Sequence, residues 1–182
     1  ANLAPTVGVA PAAKAATEDS GTTYTSSFSA SDPELGALSV SVLSKSDNDL
    51  GNVTSVSISS GTVTVSYKSG ANFNGINTVV IAVTDVMGNT TNQNVLFNVA
   101  NVNDAPVVTS SVAANISEDA VTTLTIPPAS DIDNTSFTYT IVSVTGGTAG
   151  AVNPLTREFT FTPTANYNGA VVVTYKANDG AL

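Results

Sequence analysis

Apolar residues alternate with Ser and Thr along most of this chain, and that period of two restricts the class of fold more than any other feature. Leu38-Ser39-Val40-Ser41-Val42 shows it, as do Val63-Thr64-Val65-Ser66-Tyr67, Phe137-Thr138-Tyr139-Thr140-Ile141 and Phe159-Thr160-Phe161-Thr162. Successive side chains of a strand point to opposite faces, so this pattern marks strands with one buried and one solvated face. Tyr67, Tyr139 and Tyr175 fall on the buried phase and read as core. Val79-Val80-Ile81-Ala82-Val83 and Val171-Val172-Val173-Thr174-Tyr175 are more continuously apolar and read as central strands. Turn clusters separate the strands at Ser31-Asp32-Pro33, Asn72-Phe73-Asn74-Gly75, Gly146-Gly147 and Asn166-Tyr167-Asn168-Gly169. The stretch from Ala10 to Ala16 has helix propensity, but Pro5 and Pro11 interrupt it and no apolar stripe extends it. The expectation is an all-β chain of Greek-key sandwiches.

The chain also repeats itself. Asn2-Leu3-Ala4-Pro5 matches Asn103-Asp104-Ala105-Pro106, and Glu18-Asp19 matches Glu118-Asp119. Ala30-Ser31-Asp32 matches Ala129-Ser130-Asp131, Ala71-Asn72-Phe73-Asn74-Gly75 matches Ala165-Asn166-Tyr167-Asn168-Gly169, and Asp85 matches Asp179. The order is kept throughout. One copy therefore covers residues 1–102 and a second covers 103–182, each a sandwich. Copy one continues after Asp85 into Asn94-Val95-Leu96-Phe97-Asn98-Val99, a clear strand with no counterpart in copy two. The second sandwich is thus expected to lack its closing strand. A boundary within a longer polypeptide is the preferred reading, ahead of a strained second copy or a strand lent by another chain, because lending needs a dedicated partner strand.

Composition narrows the chemistry. With no Cys and no His, zinc sites, disulfides, a Cys nucleophile and a Ser-His-Asp triad are excluded. A net charge of -9 opposes nucleic acid and anionic membrane surfaces, and no apolar run is long enough to span a bilayer. The first residue is Ala1, and no signal peptide is visible. The chain reads as a piece of a longer, water-exposed polypeptide. Carboxylate, amide and carbonyl oxygens remain, and they suit hard cations.

Those carboxylates are not spread evenly. Of the 14 acidic residues, only Asp47, Asp49 and Glu158 lie outside the repeated motifs. Clustered carboxylates repel one another unless a cation neutralises them. Strand direction places Glu18, Asp19 and Asn101 at one end of copy one. It places Asn103, Asp104, Asp131, Asp133 and Asp179 at the facing end of copy two. These eight residues are expected to share two or three calcium ions where the copies join. Asp32, Glu34 and Asp85 form the corresponding, weaker set at the start of copy one. Glu118 and Asp119 form an incomplete set at the end of copy two. Taken alone, Asp131-Ile132-Asp133 would be an ordinary Asp turn; its match to Asp32-Pro33-Glu34 and the acidic linker favour a cation site. Asp47-Asn48-Asp49 has no repeat partner and reads as a solvated hairpin turn. Glu18-Asp19 does not read as a glycosidase pair, since the chain has no Trp and 6% aromatic residues with which to build a sugar platform. No enzymatic role is expected.

Asn103-Asp104-Ala105-Pro106, Glu118-Asp119, Asp131-Ile132-Asp133, the run from Phe159 to Gly169 and Asn178-Asp179-Gly180 together resemble the bacterial cadherin-like tandem repeats of giant repeats-in-toxin adhesins and biofilm proteins. The resemblance covers nearly the whole chain. It implies a seven-stranded immunoglobulin-like sandwich with calcium between successive domains. It also implies secretion to the bacterial cell surface and a place as an extender in an adhesive stalk. The partners implied are neighbouring repeats of the same polypeptide, with a polysaccharide or host-surface ligand taken by other regions. A calcium-dependent carbohydrate- or protein-binding module is the alternative. Two departures stand out. Leu3 occupies the place of the linker Asp, and the turn at Lys68-Ser69-Gly70-Ala71-Asn72 carries a basic residue where animal cadherins have an acidic motif.

Overall fold

The computed structural model describes residues 2–46, 52–112 and 116–181. It divides into two compact units, Ala1–Val102 and Asn103–Leu182. The described residues contain strands and turns and no helix, including at the Ala-rich stretch, so none has a helix long and apolar enough to cross a membrane. The Asp47-Asn48-Asp49 turn lies outside the described residues.

The first unit is a two-sheet sandwich built from β1 (Thr6–Val7), β2 (Lys14–Thr17), β3 (Thr23–Ser31), β4 (Leu38–Lys45), β5 (Asn52–Ser59), β6 (Thr62–Lys68), β7 (Gly75–Asp85) and β8 (Thr90–Ala100). One sheet has the order β1-β3-β6-β5 and the other β2-β8-β7-β4. Eight strands replace the seven that the resemblance implies because the first strand is split between the sheets. Pro11, which has no N–H to give a ladder, lies in the crossing segment between β1 and β2. β2 then pairs parallel with β8, aligning Ala16 with Val99. The alternation works as expected: Val63, Val65 and Tyr67 of β6 are buried, as are Val79, Ile81 and Val83 of β7 and Val95, Phe97 and Val99 of β8. Tyr67 and Phe97 stack across the core with ring centroids 4.5 Å apart.

The second unit repeats this plan with fewer strands: β9 (Thr122–Thr125), β10 (Thr138–Val144), β11 (Gly147–Ala149), β12 (Glu158–Pro163) and β13 (Val173–Asn178). The sheet β11-β12-β9 matches β5-β6-β3, and β10-β13 matches β4-β7. An isolated bridge, Val107 to Ser130, stands for β1. Leu124, Ile126, Phe159 and Phe161 form the buried core, with Tyr139 and Tyr175 packed beside it. The run Val171–Tyr175, read above as a central strand, is not one here. β13 starts at Val173 and has β10 as its one strand neighbour among the described residues. In the first unit the corresponding strand, β7, is flanked on its other side by β8.

The repetition extends to local irregularities. Both β4–β7 and β10–β13 slip register at one residue, between Val42 and Ser44 and between Ile141 and Ser143. The extra residues, Leu43 and Val142, are 60% and 61% exposed. A bulge turns an apolar side chain out of the pleat at the same point in each unit. Asp19 and Asp119 both adopt left-handed backbone (φ 54° and 61°), as do Asn72 and Asn166 (φ 60° and 57°). Asn and Asp tolerate that geometry better than other residues with a side chain.

Candidate metal centre

In the second unit, the loops after the Val107–Ser130 bridge and after β13 bring Asn103, Asp104, Asp131, Asp133 and Asp179 into one hydrogen-bonded web. Asn103 Nδ2 donates to Asp179 Oδ2 at 2.6 Å. The Asp104 N–H donates to Asp133 Oδ2 at 2.7 Å. Asp131 Oδ1 accepts the N–H groups of Asp133 and Asn134 at 2.7 and 3.0 Å, closing an Asx turn that fixes the loop. Asn134 then bridges the set, donating through Nδ2 to Asn103 Oδ1 at 2.7 Å and Asp179 Oδ2 at 3.3 Å. Asn134 was not among the residues singled out from sequence. Its signal was its position directly after Asp131-Ile132-Asp133, where copy one has Leu35.

The other oxygen of Asp131, Oδ2, is shielded from solvent and receives no hydrogen bond. An anionic oxygen withdrawn from water without a donor is costly. Among the described residues no group of three or more carboxylates is gathered closely enough to hold a metal ion by itself. A cation here would draw on Asn side chains and main-chain carbonyls as well, a mixed oxygen set that calcium accepts.

The start of the first unit carries the same plan. Asn2 Nδ2 donates to Asp85 Oδ2 at 2.6 Å, the counterpart of Asn103 and Asp179. The Leu3 N–H reaches Glu34 Oε1 at 3.3 Å, the counterpart of Asp104 and Asp133. Asp32 Oδ1 accepts the Glu34 N–H at 2.6 Å. Leu3 brings no carboxylate, however, and Asp85 is saturated. Its oxygens also accept from Met87 N–H, Asn89 N–H and Asn89 Nδ2 at 2.8, 3.0 and 2.9 Å. Burial pushes the Asp85 carboxyl up, but the bonds from Asn89, Asn2 and Met87 together outweigh it and hold its pKa below the usual Asp value.

At the other end of the first unit, Glu18 is 1% exposed. The parallel pairing of β2 with β8 carries it there: its N–H donates to the Ala100 carbonyl at 3.2 Å, and its Oε1 accepts the Val102 N–H at 2.9 Å. Glu18 Oε2 is buried and receives no hydrogen bond. Asp19 is exposed beside it, and Asn101 Oδ1 accepts from Asn74 Nδ2 at 2.6 Å. The matching pair in the second unit is arranged differently. Glu118 is exposed, and Asp119 Oδ1 caps the Asn166 N–H at 2.9 Å. Among the described residues no strand end lies beside Glu118 as β8 lies beside Glu18.

Residues 102–182 match the family model of the cadherin-like domain. The matched residues span the second unit and its acidic web. No curated protein matches the sequence. Among solved structures, human CDH23 EC21-23 is similar over 98% of this chain and 60% of its own, with 15% identity and a TM-score of 0.53. Protocadherin gammaB7 EC3-6 is similar over 96% of this chain and 49% of its own, with 19% identity and a TM-score of 0.53. Protocadherin GammaB4 is similar over 96% and 32%, with 17% identity and a TM-score of 0.51. At such identities the likeness concerns the fold, a cadherin-like β-sandwich, and the chain spans under two thirds of each of these structures.

Proposed function

We propose that the chain is a pair of extracellular, adhesion-type repeats stiffened by calcium. The observation that carries this reading is the pair of buried carboxylate oxygens, Glu18 Oε2 and Asp131 Oδ2, that no hydrogen donor meets. Solvation by water is denied to them, and a cation is the natural complement. The donor chemistry fits the ion: every candidate atom is a hard oxygen, and the chain has no Cys or His to favour a softer metal.

In this reading Asn103, Asp104, Asp131, Asp133 and Asp179 supply the larger donor set, and Glu18, Asp19 and Asn101 supply the smaller one. Bound calcium would neutralise carboxylates that otherwise repel. Glu18 already grips the Val102 N–H, one peptide bond before Asn103, so the linker is held at its root. Asn103 and the Asp104 N–H hold its other side through Asp179 and Asp133. Asp32, Glu34 and Asp85 form a poorer set because Leu3 replaces the linker acid. Glu118 and Asp119 lack the buried geometry of Glu18 and contribute least.

The chain then serves as an extender in a large secreted bacterial surface adhesin, carrying a distal binding region away from the cell for attachment or biofilm formation. Extracellular calcium modules work at about 10⁻⁴–10⁻³ M, so calcium-poor cytoplasm would leave the linker loose before export. Calorimetric titration of the chain with calcium, paired with small-angle scattering, tests the reading. Saturable binding with a stiffer, longer particle is expected. Absence of heat, with melting and scattering unmoved by chelator, ends it.

A further inference from the structure

The turn that carries Glu18 and Asp19 is tied to a single phenol. The Tyr24 hydroxyl accepts the Thr17 N–H at 3.1 Å and lies 3.0 Å from Thr17 Oγ1 and 3.2 Å from Ser20 Oγ. Ser20 Oγ donates to the Thr17 carbonyl at 3.1 Å and accepts the Thr22 N–H at 3.2 Å. Thr17 and Ser20 flank Glu18 and Asp19 directly. Hydrogen bonds from Ser20 and Thr17 hold the Tyr24 phenol below the usual tyrosine range. The ring itself is anchored: Tyr24 pairs with Tyr67 in the β3–β6 ladder and packs against the buried core. Its hydroxyl is therefore a fixed point to which the turn is fastened.

The turn needs such a fastening. Glu18 Oε2 is buried without a donor, and an anionic oxygen in that state pulls toward water. Asp19 next to it holds a left-handed backbone, φ 54°, which costs a residue with a side chain. Both features favour an opened turn with Glu18 in solvent. Against them stand the bond from Val102 N–H to Glu18 Oε1 and the cluster around Tyr24. In the second unit the same spacing gives Ala120 and Leu124, which have no hydroxyl, and Glu118 is exposed.

We propose that Tyr24 is a positioning residue for Glu18. With Thr17 and Ser20 it clasps the turn shut and keeps the carboxylate in its buried place before any cation arrives. A donor held in place loses less freedom on binding, so the clasp raises affinity without touching the ion. That consequence rests on the reading of Glu18 as a calcium donor; the positioning does not.

Tyr24→Phe keeps the ring and removes the hydroxyl. In the whole chain without calcium, hydrogen exchange at the Val102 amide should quicken about tenfold, while the amides of β6 and β7 keep their rates. Calcium affinity by calorimetry should fall about threefold to tenfold. In the Glu18→Gln background the same substitution should leave affinity unmoved, because residues acting through one another do not add. Ser20→Ala should follow Tyr24→Phe, and Ser20→Thr, which retains a hydroxyl, should behave as the parent. An unchanged Val102 rate, an equal quickening through β6 and β7, or affinity losses that add to those of Glu18→Gln would each overturn the proposal. If the parent takes up no calcium while the Val102 amide responds as expected, the calcium reading fails and the clasp stands.

Discussion

Asn103 Nδ2 lies 2.6 Å from Asp179 Oδ2, and Asn2 Nδ2 lies 2.6 Å from Asp85 Oδ2. One amide–carboxylate bond thus fastens the entering chain to the last residue of β7 in the first unit and to the residue just after β13 in the second. What differs is the next residue: Asp104 adds a carboxylate, and Leu3 adds none. The two ends share a frame and differ in charge.

Removing the buried oxygen of the web should weaken the ion. Asp131→Ala deletes both the Asx-turn acceptor and the unbonded Oδ2. Calcium affinity is expected to fall about tenfold or more, and the rise in Tm on adding saturating calcium should shrink with it, since ligand binding to the native state stabilises it. Asp32→Ala, at the poorer set, should leave the calcium titration nearly unchanged. Equal losses from both variants would show that the two sets do not differ.

Glu18→Gln separates structure from charge. The Gln carbonyl can still accept the Val102 N–H, and its amide no longer places an anionic oxygen in a dry site. Without calcium the variant should melt at or above the parent temperature. With calcium it should gain less. Glu18→Ala removes the acceptor as well and should cost about 1–3 kcal/mol with calcium absent. Urea unfolding with and without chelator reads both effects.

Asp85 predicts an acid sensitivity in the first unit. Its folded pKa is depressed, so its contribution to stability is fully present above the unfolded value of about 3.9. That contribution is lost as pH falls through the folded pKa. Asn89→Ala removes the side-chain donor that lowers it most and keeps the backbone N–H. The variant should be less stable than the parent near neutrality and should lose less on further acidification below about pH 4. Parallel pH–stability curves for the two proteins would refute this role.

Phe97→Ala should destabilise the first unit by about 3–5 kcal/mol, because a fully buried ring stacked on Tyr67 leaves a cavity. The second unit's unfolding transition should hold its position. Differential scanning calorimetry with two resolvable transitions would check this.

Much of this was written in residue order. The period-two runs at Val63–Tyr67 and Phe159–Thr162 mark strands because a half-buried sheet demands that alternation. The repeated Asn, Asp and Gly positions mark turns whose left-handed backbone the structure shows at Asn72 and Asn166. Other features were not legible. The split of the first strand depends on which sheet claims each half, a tertiary choice. The apolar run at Val171–Tyr175 suggests a strand flanked on both sides, but flanking depends on a neighbour elsewhere in the chain. Asn134 escaped notice because its role arises from folding the Asp131 loop back on Asn103. The burial of Glu18 was hidden for a related reason: it depends on the end of β8 lying beside it.

The parallel pairing of β2 with β8 bears on mechanical load. β2 lies near the start of the first unit and β8 near its end, and the two run the same way. Tension applied through the termini would drag them past each other lengthwise. Their cross-links, from Lys14 with Phe97 to Thr17 with Ala100, would then be strained together, not peeled one at a time. Shared strain of this kind favours a high rupture force.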